Sequence, residues 1–415
     1  MGRSLMLLAL FLATVTAYAD RYLFSVVAER VRLEFGLNDL ELGLLAGPAM
    51  ALLFALLGVP VARWADTGHR PRVLLFCLSC WSGFTLLCGF AQSFSQLVVA
   101  RLGVGMGEAG ALPPAHSLVA SAFAEDRRAA PAGVLTLATF IGAFLGIAGG
   151  GVLVTTLGWR SAFLVFGAAG ALIAPLVYVC VREPRPEVRR PRASEMFGPA
   201  VIASFKRLLQ RRAIFHIVAG YTLYYVFAHT IGAFGVAFMI RSFGLTEAEI
   251  GSTWGVVLLT SSVSGTLIAA LIMNKLGARS RAWYGLVPAF TSTVAAVFFA
   301  IALLSPSKDS VFIFLWCGMA VVALGSPAVY AGVYSQTEEH ERALTIALML
   351  LLSNSIGLGL GPVLAGFVSN ALRATLGDES LRYTLAAMPV FLILAALAFL
   401  RAAAAMGSKR EPSYP

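Results

Sequence analysis

Charged side chains are scarce in this 415-residue chain. Asp, Glu, Lys and Arg together make up 13% of it, whereas hydrophobic residues make up 59%. Soluble domains contain about 25% charged residues, so this chain has too few charges to cover a surface in water. A soluble enzyme, a disordered protein and a disulfide-rich secreted domain are therefore excluded. The net charge of +10 does not predict nucleic-acid binding, because the basic residues lie in short loops between long apolar runs.

Reactive groups are equally sparse. The sequence contains no P-loop, no metal-binding cluster and no set of nucleophile, base and acid, so we expect no enzyme activity, no ATP drive and no cofactor. The few cysteines all lie inside apolar runs, which predicts packing in the core or against lipid and no disulfides. They are Cys77, Cys80, Cys88, Cys180 and Cys317.

Long apolar runs dominate what remains. At about 20 residues per membrane-spanning helix, they predict twelve spans. These are Ser4–Ala28, Leu40–Ala65, Val73–Phe90, Gln96–Phe123, Pro131–Thr156, Ala162–Val181, Ala213–Ile240, Ile250–Met273, Trp283–Leu304, Val311–Tyr334, Ala343–Val368 and Tyr383–Leu400.

One long polar stretch divides the spans six plus six. We predict a first six-helix bundle at residues 1–181, a cytoplasmic linker at 182–212, a second bundle at 213–403 and a cytoplasmic tail at 404–415. From Glu195 to Arg212 the linker alternates apolar and basic residues, a pattern typical of an amphipathic helix at the membrane surface. A basic, solvated segment is an equal alternative for the first half of the linker.

The basic residues are distributed unevenly between the two sides of the membrane. With the N-terminus inside, 22 of the 31 Lys and Arg residues fall on the cytoplasmic side and only seven on the outer side. The positive-inside rule then places both termini in the cytoplasm. The Ala- and Gly-rich composition with short loops favours a bacterial inner membrane.

The two halves repeat each other. Phe35-Gly36-Leu37 recurs as Phe243-Gly244-Leu245 at a shift of 208, and Glu125 to Ala129 recurs as Glu339 to Ala343 at a shift of 214. Matches at the same loops of each half predict a duplicated six-helix bundle with both copies oriented alike. Parallel repeats of this kind are typical of secondary transporters. The predicted fold class is an all-α membrane protein of twelve transmembrane helices in two pseudo-symmetric six-helix bundles.

At this point a family can be recognised. The loop sequence ARWADTGHRPR at residues 62–72 resembles the cytoplasmic signature of the major facilitator superfamily, although Ala62 replaces its leading glycine and Thr67 replaces a basic residue. Asp20-Arg21-Tyr22 in the first span and the pattern RxxxGxGEA at residues 101–109 resemble the spinster family of lipid transporters. The resemblance implies the major facilitator fold and transport of a lipid-like substrate.

Four ionisable residues lie deep in the first bundle, roughly 8 to 18 Å below the outer ends of their helices. They are Asp20, Arg21, Arg101 and Glu108. Such groups are costly in hydrocarbon and indicate function. We predict Asp20 and Glu108 as proton carriers, with Arg21 and Arg101 as charge partners that can bind an anionic head group. By its resemblance to the spinster family this set is also the proton-coupling cluster. The alternative is a set of static ion pairs joining two helices.

The second bundle has almost no deep charge, and its seventh span is rich in aromatic residues. Tyr221, Tyr225 and His229 are candidates for a substrate cavity that accepts the apolar part of an amphiphile. For His229, the interpretation as a satisfied core histidine is favoured over a role in sensing pH or binding a head group.

A second set of charges lies in the predicted cytoplasmic loops. The superfamily resemblance implies that Asp66 with Arg70 and Arg72 latches the two halves in one state. The pairs Glu125 with Arg128 and Glu339 with Arg342 would extend this cytoplasmic gate; ordinary interfacial charge is the alternative.

The sequence thus predicts a monomeric, proton-coupled secondary transporter that moves a lysolipid or sphingoid compound by alternating access. Its partners are the small amphipathic substrate, protons and membrane lipids, and nucleic acid is not among them. Two alternatives remain: a proton-coupled exporter of small organic anions or hydrophobic drugs, and a lipid facilitator without coupling.

Overall fold

The computed structural model describes residues 2–110, 112–124, 127, 129–183, 206, 210–277 and 279–407. Within these residues the fold is helical, with no strand. The helices are α1 (Arg3–Phe35), α2 (Asp39–Ala46), α3 (Pro48–Thr67), α4 (Arg70–Phe90), α5 (Phe94–Glu108), α6 (Leu112–Ala122), α7 (Ala129–Leu157), α8 (Trp159–Cys180), α9 (Arg212–Phe243), α10 (Glu247–Gly277), α11 (Trp283–Leu304), α12 (Lys308–Gln336), α13 (Glu339–Leu376), α14 (Ser380–Ala387) and α15 (Val390–Gly407).

Ten stretches in the described part of the chain are long and apolar enough to cross a membrane. One of them, Thr345–Gly407, contains the predicted eleventh and twelfth spans together. The predicted fourth span is not counted among the ten because it is divided into α5 and α6, each shorter than the roughly 20 residues that a bilayer requires. The helices follow the predicted order of twelve spans.

Two further spans that the sequence analysis treated as continuous are broken. The second span is divided at Gly47 into α2 and α3, and the last at Met388 and Pro389 into α14 and α15. A proline lies at each break: Pro48 is the first residue of α3, and Pro389 directly precedes α15. Proline has no N–H to donate to the preceding turn and disfavours helical geometry in the residue before it.

The internal repeat is visible in the backbone. Gly36 ends α1 and Gly244 follows α9, and both have φ of +64°. A residue with a β-carbon rarely adopts this left-handed conformation, which explains why glycine stands at both positions. The helix that follows begins in each half with a capping box, formed by Asn38 with Glu41 and by Thr246 with Glu249.

The chain forms two compact units. The first consists of residues 1–198, 232–259 and 362–367, and the second of residues 199–231, 260–361 and 368–415. In the first unit α1 packs against α7 and α8, and α4 packs against α5 and α8. In the second, α11 packs against α12 and α15. The predicted limits of the two bundles stay a prediction, and most of the predicted amphipathic linker helix lies outside the described residues.

Candidate functional site

Close helix packing determines where the deep charges lie. α5 approaches α3 so closely that a β-carbon at Gly105 would lie 2.1 Å from the carbonyl oxygen of Met50. A β-carbon at Gly107 would lie 2.5 Å from the backbone nitrogen of Trp81 in α4. Only glycine permits these distances. As a result α5 is pressed against its neighbours, and the Arg101 and Glu108 side chains are buried between helices.

Arg21 on α1 and Glu108 at the end of α5 form a buried ion pair. The Nε and Nη2 atoms of Arg21 donate to Oε2 of Glu108 at 2.8 and 2.5 Å. The Glu108 side chain is fully buried, whereas that of Arg21 is 20% exposed. The other carboxylate oxygen, Oε1 of Glu108, has no hydrogen-bond partner among the described residues.

Asp20, next to Arg21, faces a different helix. The hydroxyl group of Thr85 on α4 donates a short hydrogen bond to Oδ2 of Asp20. Asp20 is only 3% exposed, and its Oδ1 atom accepts no hydrogen bond in the described part of the chain. Each of the two buried carboxyl groups thus keeps one oxygen available to a proton.

Arg101 is a buried cation with no carboxylate bound to it among the described residues. It is 1% exposed. Its Nη2 atom lies 3.3 Å from the thioether sulfur of Met50, and its Cζ atom lies 4.5 Å from the centre of the Phe24 ring. Sulfur and an aromatic face are weak partners for a guanidinium group. The Nε and Nη1 atoms find no acceptor within the described residues, so the site has unused N–H donors suited to an anion.

We call Asp20, Arg21, Arg101 and Glu108 the deep cluster. All four lie in the first unit, as the sequence predicted for one helix pair. Sequence reasoning missed Thr85 as the partner of Asp20, although a threonine inside an apolar span is a detectable signal. It also missed Met50 and Phe24, for which an apolar span gives no signal.

A second ionic network lies at the ends of helices in the same unit. Arg241 donates from Nε and Nη2 to Oε2 of Glu29 at 3.0 and 2.8 Å, and from Nη1 to Oδ2 of Asp39 at 3.0 Å. Arg32 donates to the other oxygen of Glu29 at 2.7 Å. The Glu29 and Asp39 side chains are 4% and 0% exposed. Buried carboxylates at these positions are thus neutralised by arginines from both halves of the sequence.

A matching contact pairs Arg30 with Glu247. The Nε atom of Arg30 lies 2.5 Å from Oε1 of Glu247 and its Nη2 atom 3.1 Å from Oε2. Asp39 and Glu247 occupy equivalent positions of the repeat, each at the first residue of a helix. We call the network of Glu29, Arg30, Arg32, Asp39, Arg241 and Glu247 the outer brace. The sequence analysis treated its arginines only as outer-side charges and missed their role.

Backbone contacts reinforce the brace in a symmetric way. A β-carbon at Gly151 on α7 would lie 2.2 Å from the carbonyl oxygen of Glu247, and one at Gly366 on α13 would lie 2.2 Å from that of Asp39. Glycine at these two positions therefore lets each acidic helix start lie directly against a helix of the other half of the sequence.

The predicted cytoplasmic gate is only partly described. Arg70 is 2% exposed and forms a buried ion pair with Glu183, and its Nη1 atom donates to the hydroxyl groups of Ser117 and Ser121 at 2.9 and 2.7 Å. Glu183 was not predicted. Arg72 and Arg342 are exposed. Glu125 and Arg128, together with the side chains of Asp66 and Glu339, lie outside the described residues.

The predicted aromatic residues cluster in the second unit. The hydroxyl oxygen of Tyr221 lies 3.4 Å from that of Tyr225 and 3.3 Å from that of Tyr330. The imidazole ring of His229 lies 5.4 Å from the Tyr225 ring. The structure therefore brings Tyr221, Tyr225 and His229 together and adds Tyr330, which lies far away in the sequence.

Comparison with known proteins places these features in a family. The model of the Major Facilitator Superfamily matches residues 10–349. An MFS-type efflux pump of Mycolicibacterium smegmatis is 31% identical over 368 residues, which are 88% of this chain and 84% of the pump. Protein spinster homolog 1 of Xenopus laevis is 22% identical over 386 residues, 89% of this chain and 73% of that protein.

Solved structures agree with the sequence comparisons. The crystal structure of a bacterial homolog to the human lysosomal transporter Spinster, in an inward-facing and unoccupied conformation, has a TM-score of 0.86 and 27% identity. It covers 99% of both chains. The predicted fold of twelve helices in two pseudo-symmetric bundles and the recognition of the spinster family are confirmed. The chain is an integral membrane transporter of the major facilitator superfamily, related to the spinster proteins.

Proposed function

We propose that this protein is a proton-coupled secondary transporter that moves an amphipathic, lipid-like substrate by alternating access. The observation on which the proposal depends is the deep cluster. It contains two acids and two bases in a buried place, yet the Nε and Nη1 atoms of Arg101 and one oxygen each of Asp20 and Glu108 have no partner in the described structure. Unpaired buried charge is too costly to persist without a use.

The chemistry of the cluster suits proton coupling. A proton that binds Glu108 weakens its hold on Arg21, and a proton that binds Asp20 removes a buried negative charge from the cluster. Either event changes which of two packings is more stable. The driving force is sufficient, since one charge that crosses 100 mV supplies about 2.3 kcal/mol and each pH unit adds about 1.4 kcal/mol. The proton is then the coupling ion, and no cofactor is needed.

The proposed substrate is a lysolipid or a sphingoid compound. An anionic head group would bind the free N–H groups of Arg101, and Arg21 would exchange between Glu108 and the substrate. Tyr221, Tyr225 and His229 are a separate candidate for a substrate cavity in the second unit, where aromatic faces suit an apolar group. The resemblance to the spinster family of lipid transporters is what favours this substrate class.

We further propose that the protein works as a monomer in a bacterial inner membrane with both termini in the cytoplasm, as the excess of basic residues on one side predicts. The proposed cytoplasmic gate consists of seven charged residues: Asp66, Arg70, Arg72, Glu125, Arg128, Glu339 and Arg342. For Arg70 the partner seen is Glu183, which ties the start of the linker to α4.

The test uses proteoliposomes that contain the purified protein and an imposed pH step. A panel of lysolipids, sphingoid bases, small organic anions and hydrophobic drugs identifies the substrate. We expect Asp20→Asn and Glu108→Gln to abolish uphill uptake while exchange down a gradient persists. Asp378→Asn, which changes an exposed carboxylate, is the matched control. Uphill, pH-driven uptake at the wild-type rate in both deep variants would refute the proposal.

A second candidate is a proton-coupled exporter of small organic anions or hydrophobic drugs. The specific observation in its favour is the 31% identity with the Mycolicibacterium efflux pump. The same panel separates the candidates, because an exporter of drugs would accumulate drugs and ignore lysolipids. A lipid facilitator without coupling would move lysolipids equally with and without the pH step.

A further inference from the structure

A basic cavity lies in the second unit. Its volume is about 720 Å³. It lies at the ends of α10, α12 and α15 and at the start of α11, on the side that the distribution of Lys and Arg assigns to the cytoplasm. Its lining includes Arg279, Arg281, Tyr284, Tyr334 and Ser335.

The lining has the composition of an anion site. Two guanidinium groups and two phenolic hydroxyl groups offer hydrogen-bond donors, and no carboxylate belongs to the described lining. Within the described residues, Arg281 makes one long contact, from Nη1 to the carbonyl oxygen of Ser335 at 3.4 Å. Arg279 and Arg281 are both exposed. Their N–H groups therefore remain open to a ligand, and Arg binds phosphate oxygens in a bidentate way.

The surroundings of the cavity favour an anion that is attached to a lipid. Leu271 on α10 is 73% exposed and Leu400 on α15 is 46% exposed. Each lies six residues before the cavity residue of its helix, which is about 9 Å along the helix axis. Tyr334 is 46% exposed at the cavity, and tyrosine is typical of the interface between lipid and water. A ligand whose phosphate fills the cavity thus has apolar surface within reach of its acyl chains.

We propose that this cavity binds the phosphate group of an anionic lipid of the cytoplasmic leaflet. The lipid is a bound component of the second unit and is not transported. Its phosphate lies between Arg279 and Arg281, with the hydroxyl group of Tyr284 as a further donor. Basic pockets between transmembrane helices on the cytoplasmic side have the charge and position to bind lipid head groups. The inference is independent of the proposed transport function.

The test measures lipid binding to the purified full-length protein in detergent. Dioleoylphosphatidylglycerol is titrated, with dioleoylphosphatidylcholine as the lipid of zero net charge, and bound lipids are counted by native mass spectrometry. We expect the Arg279→Gln/Arg281→Gln double variant to bind phosphatidylglycerol at least tenfold more weakly than the wild type. Ala331→Leu, which keeps the charge and fills part of the cavity, should also weaken binding.

The matched control is the double variant Arg212→Gln/Arg401→Gln, which removes the same charge from exposed positions of the same unit outside the cavity. It should bind like the wild type. Equal losses in both double variants would overturn the proposal, because binding would then reflect overall charge. Inorganic phosphate that competes as well as the lipid, at equal concentration, would overturn the lipid assignment.

Discussion

The deep cluster and the outer brace are both balanced in charge, but they differ in whether each charge is paired. Each contains equal numbers of acidic and basic side chains, and each is largely buried. In the brace, every arginine lies against a carboxylate, and Glu29 binds arginines through both oxygens. In the deep cluster, the hydrogen-bond and ring partners of Arg101 in the described structure are the Met50 sulfur and the Phe24 ring. Charge balance alone therefore does not determine whether the charges of a buried network are paired.

The difference lies in geometry. The brace joins helix ends, where acidic residues at the start of α2 and α10 also meet the positive ends of the helix dipoles. In the deep cluster, Asp20, Arg21 and Arg101 lie on the sides of helices, and Glu108 is the last residue of α5, where the helix dipole does not favour a carboxylate. The brace pairs its charges, whereas two nitrogen atoms of Arg101 in the deep cluster have no hydrogen-bond partner among the described residues, as the proposed binding of an anionic head group requires.

The largest contrast is expected from removing one arginine of each network. Arg241→Met leaves Asp39 and part of Glu29 buried without a cation and should cost about 3–5 kcal/mol of unfolding free energy. Arg101→Met removes a buried charge that has no counter-charge bound to it, and it should leave stability unchanged or raise it by up to about 4 kcal/mol. Denaturation in detergent micelles measures both.

Equal destabilisation by the two substitutions would remove the distinction between the networks. Expression and helix content of each variant, followed by circular dichroism, show that the comparison concerns folded protein. Arg101→Met should in addition stop transport. A gain in stability with a loss of activity is expected when a residue is kept for its function and destabilises the fold.

The sequence makes the four residues of the deep cluster recognisable as candidates, whereas it does not reveal the pairing of the brace. The reason is physical. Charges inside an apolar run are conspicuous, so Asp20, Arg21, Arg101 and Glu108 could be found by inspection. Charges at helix ends are ordinary, and nothing local shows that Arg241 will meet Glu29 and Asp39, residues more than 200 positions away. The same applies to Glu183, whose partner Arg70 belongs to a recognisable motif while Glu183 does not.

The breaks in the helices were also only partly predictable. Prolines inside apolar runs are visible, yet some lie within continuous helices, as Pro60 does in α3 and Pro362 does in α13. Pro48 and Pro389 end a helix instead. Whether a proline bends a helix or ends it depends on the neighbouring helices, which a sequence does not specify.

A medium effect is expected from one added methyl group in α7. Gly151→Ala would place a β-carbon 2.2 Å from the carbonyl oxygen of Glu247, and such overpacking costs about 1–3 kcal/mol. We expect lower stability and slower transport. Gly149→Ala is the control on the same helix, because its β-carbon meets nothing nearer than the Phe166 ring at 3.7 Å.

The control should gain stability, since alanine favours a helix over glycine by about 1 kcal/mol. Thermal unfolding of both variants in the same detergent measures the difference. If Gly151→Ala were as stable as Gly149→Ala, α7 and the start of α10 would not be in the close contact on which the brace depends.

The smallest effect is expected from the exposed arm of the brace. The Arg30 side chain is 51% exposed, so solvent screens its attraction to Glu247, and Arg30→Gln keeps a donor for the carboxylate. The cost should be about 0.2–1 kcal/mol and should vanish at high salt. A loss as large as that of Arg241→Met, measured by the same unfolding assay, would mean that the two arms of the brace do not differ as their exposure indicates.

The most direct test of the account measures selectivity for an anionic head group. Exchange transport of a lysolipid with a phosphate head group is compared with that of the uncharged monoacylglycerol, in proteoliposomes that contain the wild type or Arg101→Gln. If the free N–H groups of Arg101 bind the head group, the wild type should prefer the phosphate compound at least tenfold and the variant should show almost no preference. An unchanged preference in Arg101→Gln would contradict the account.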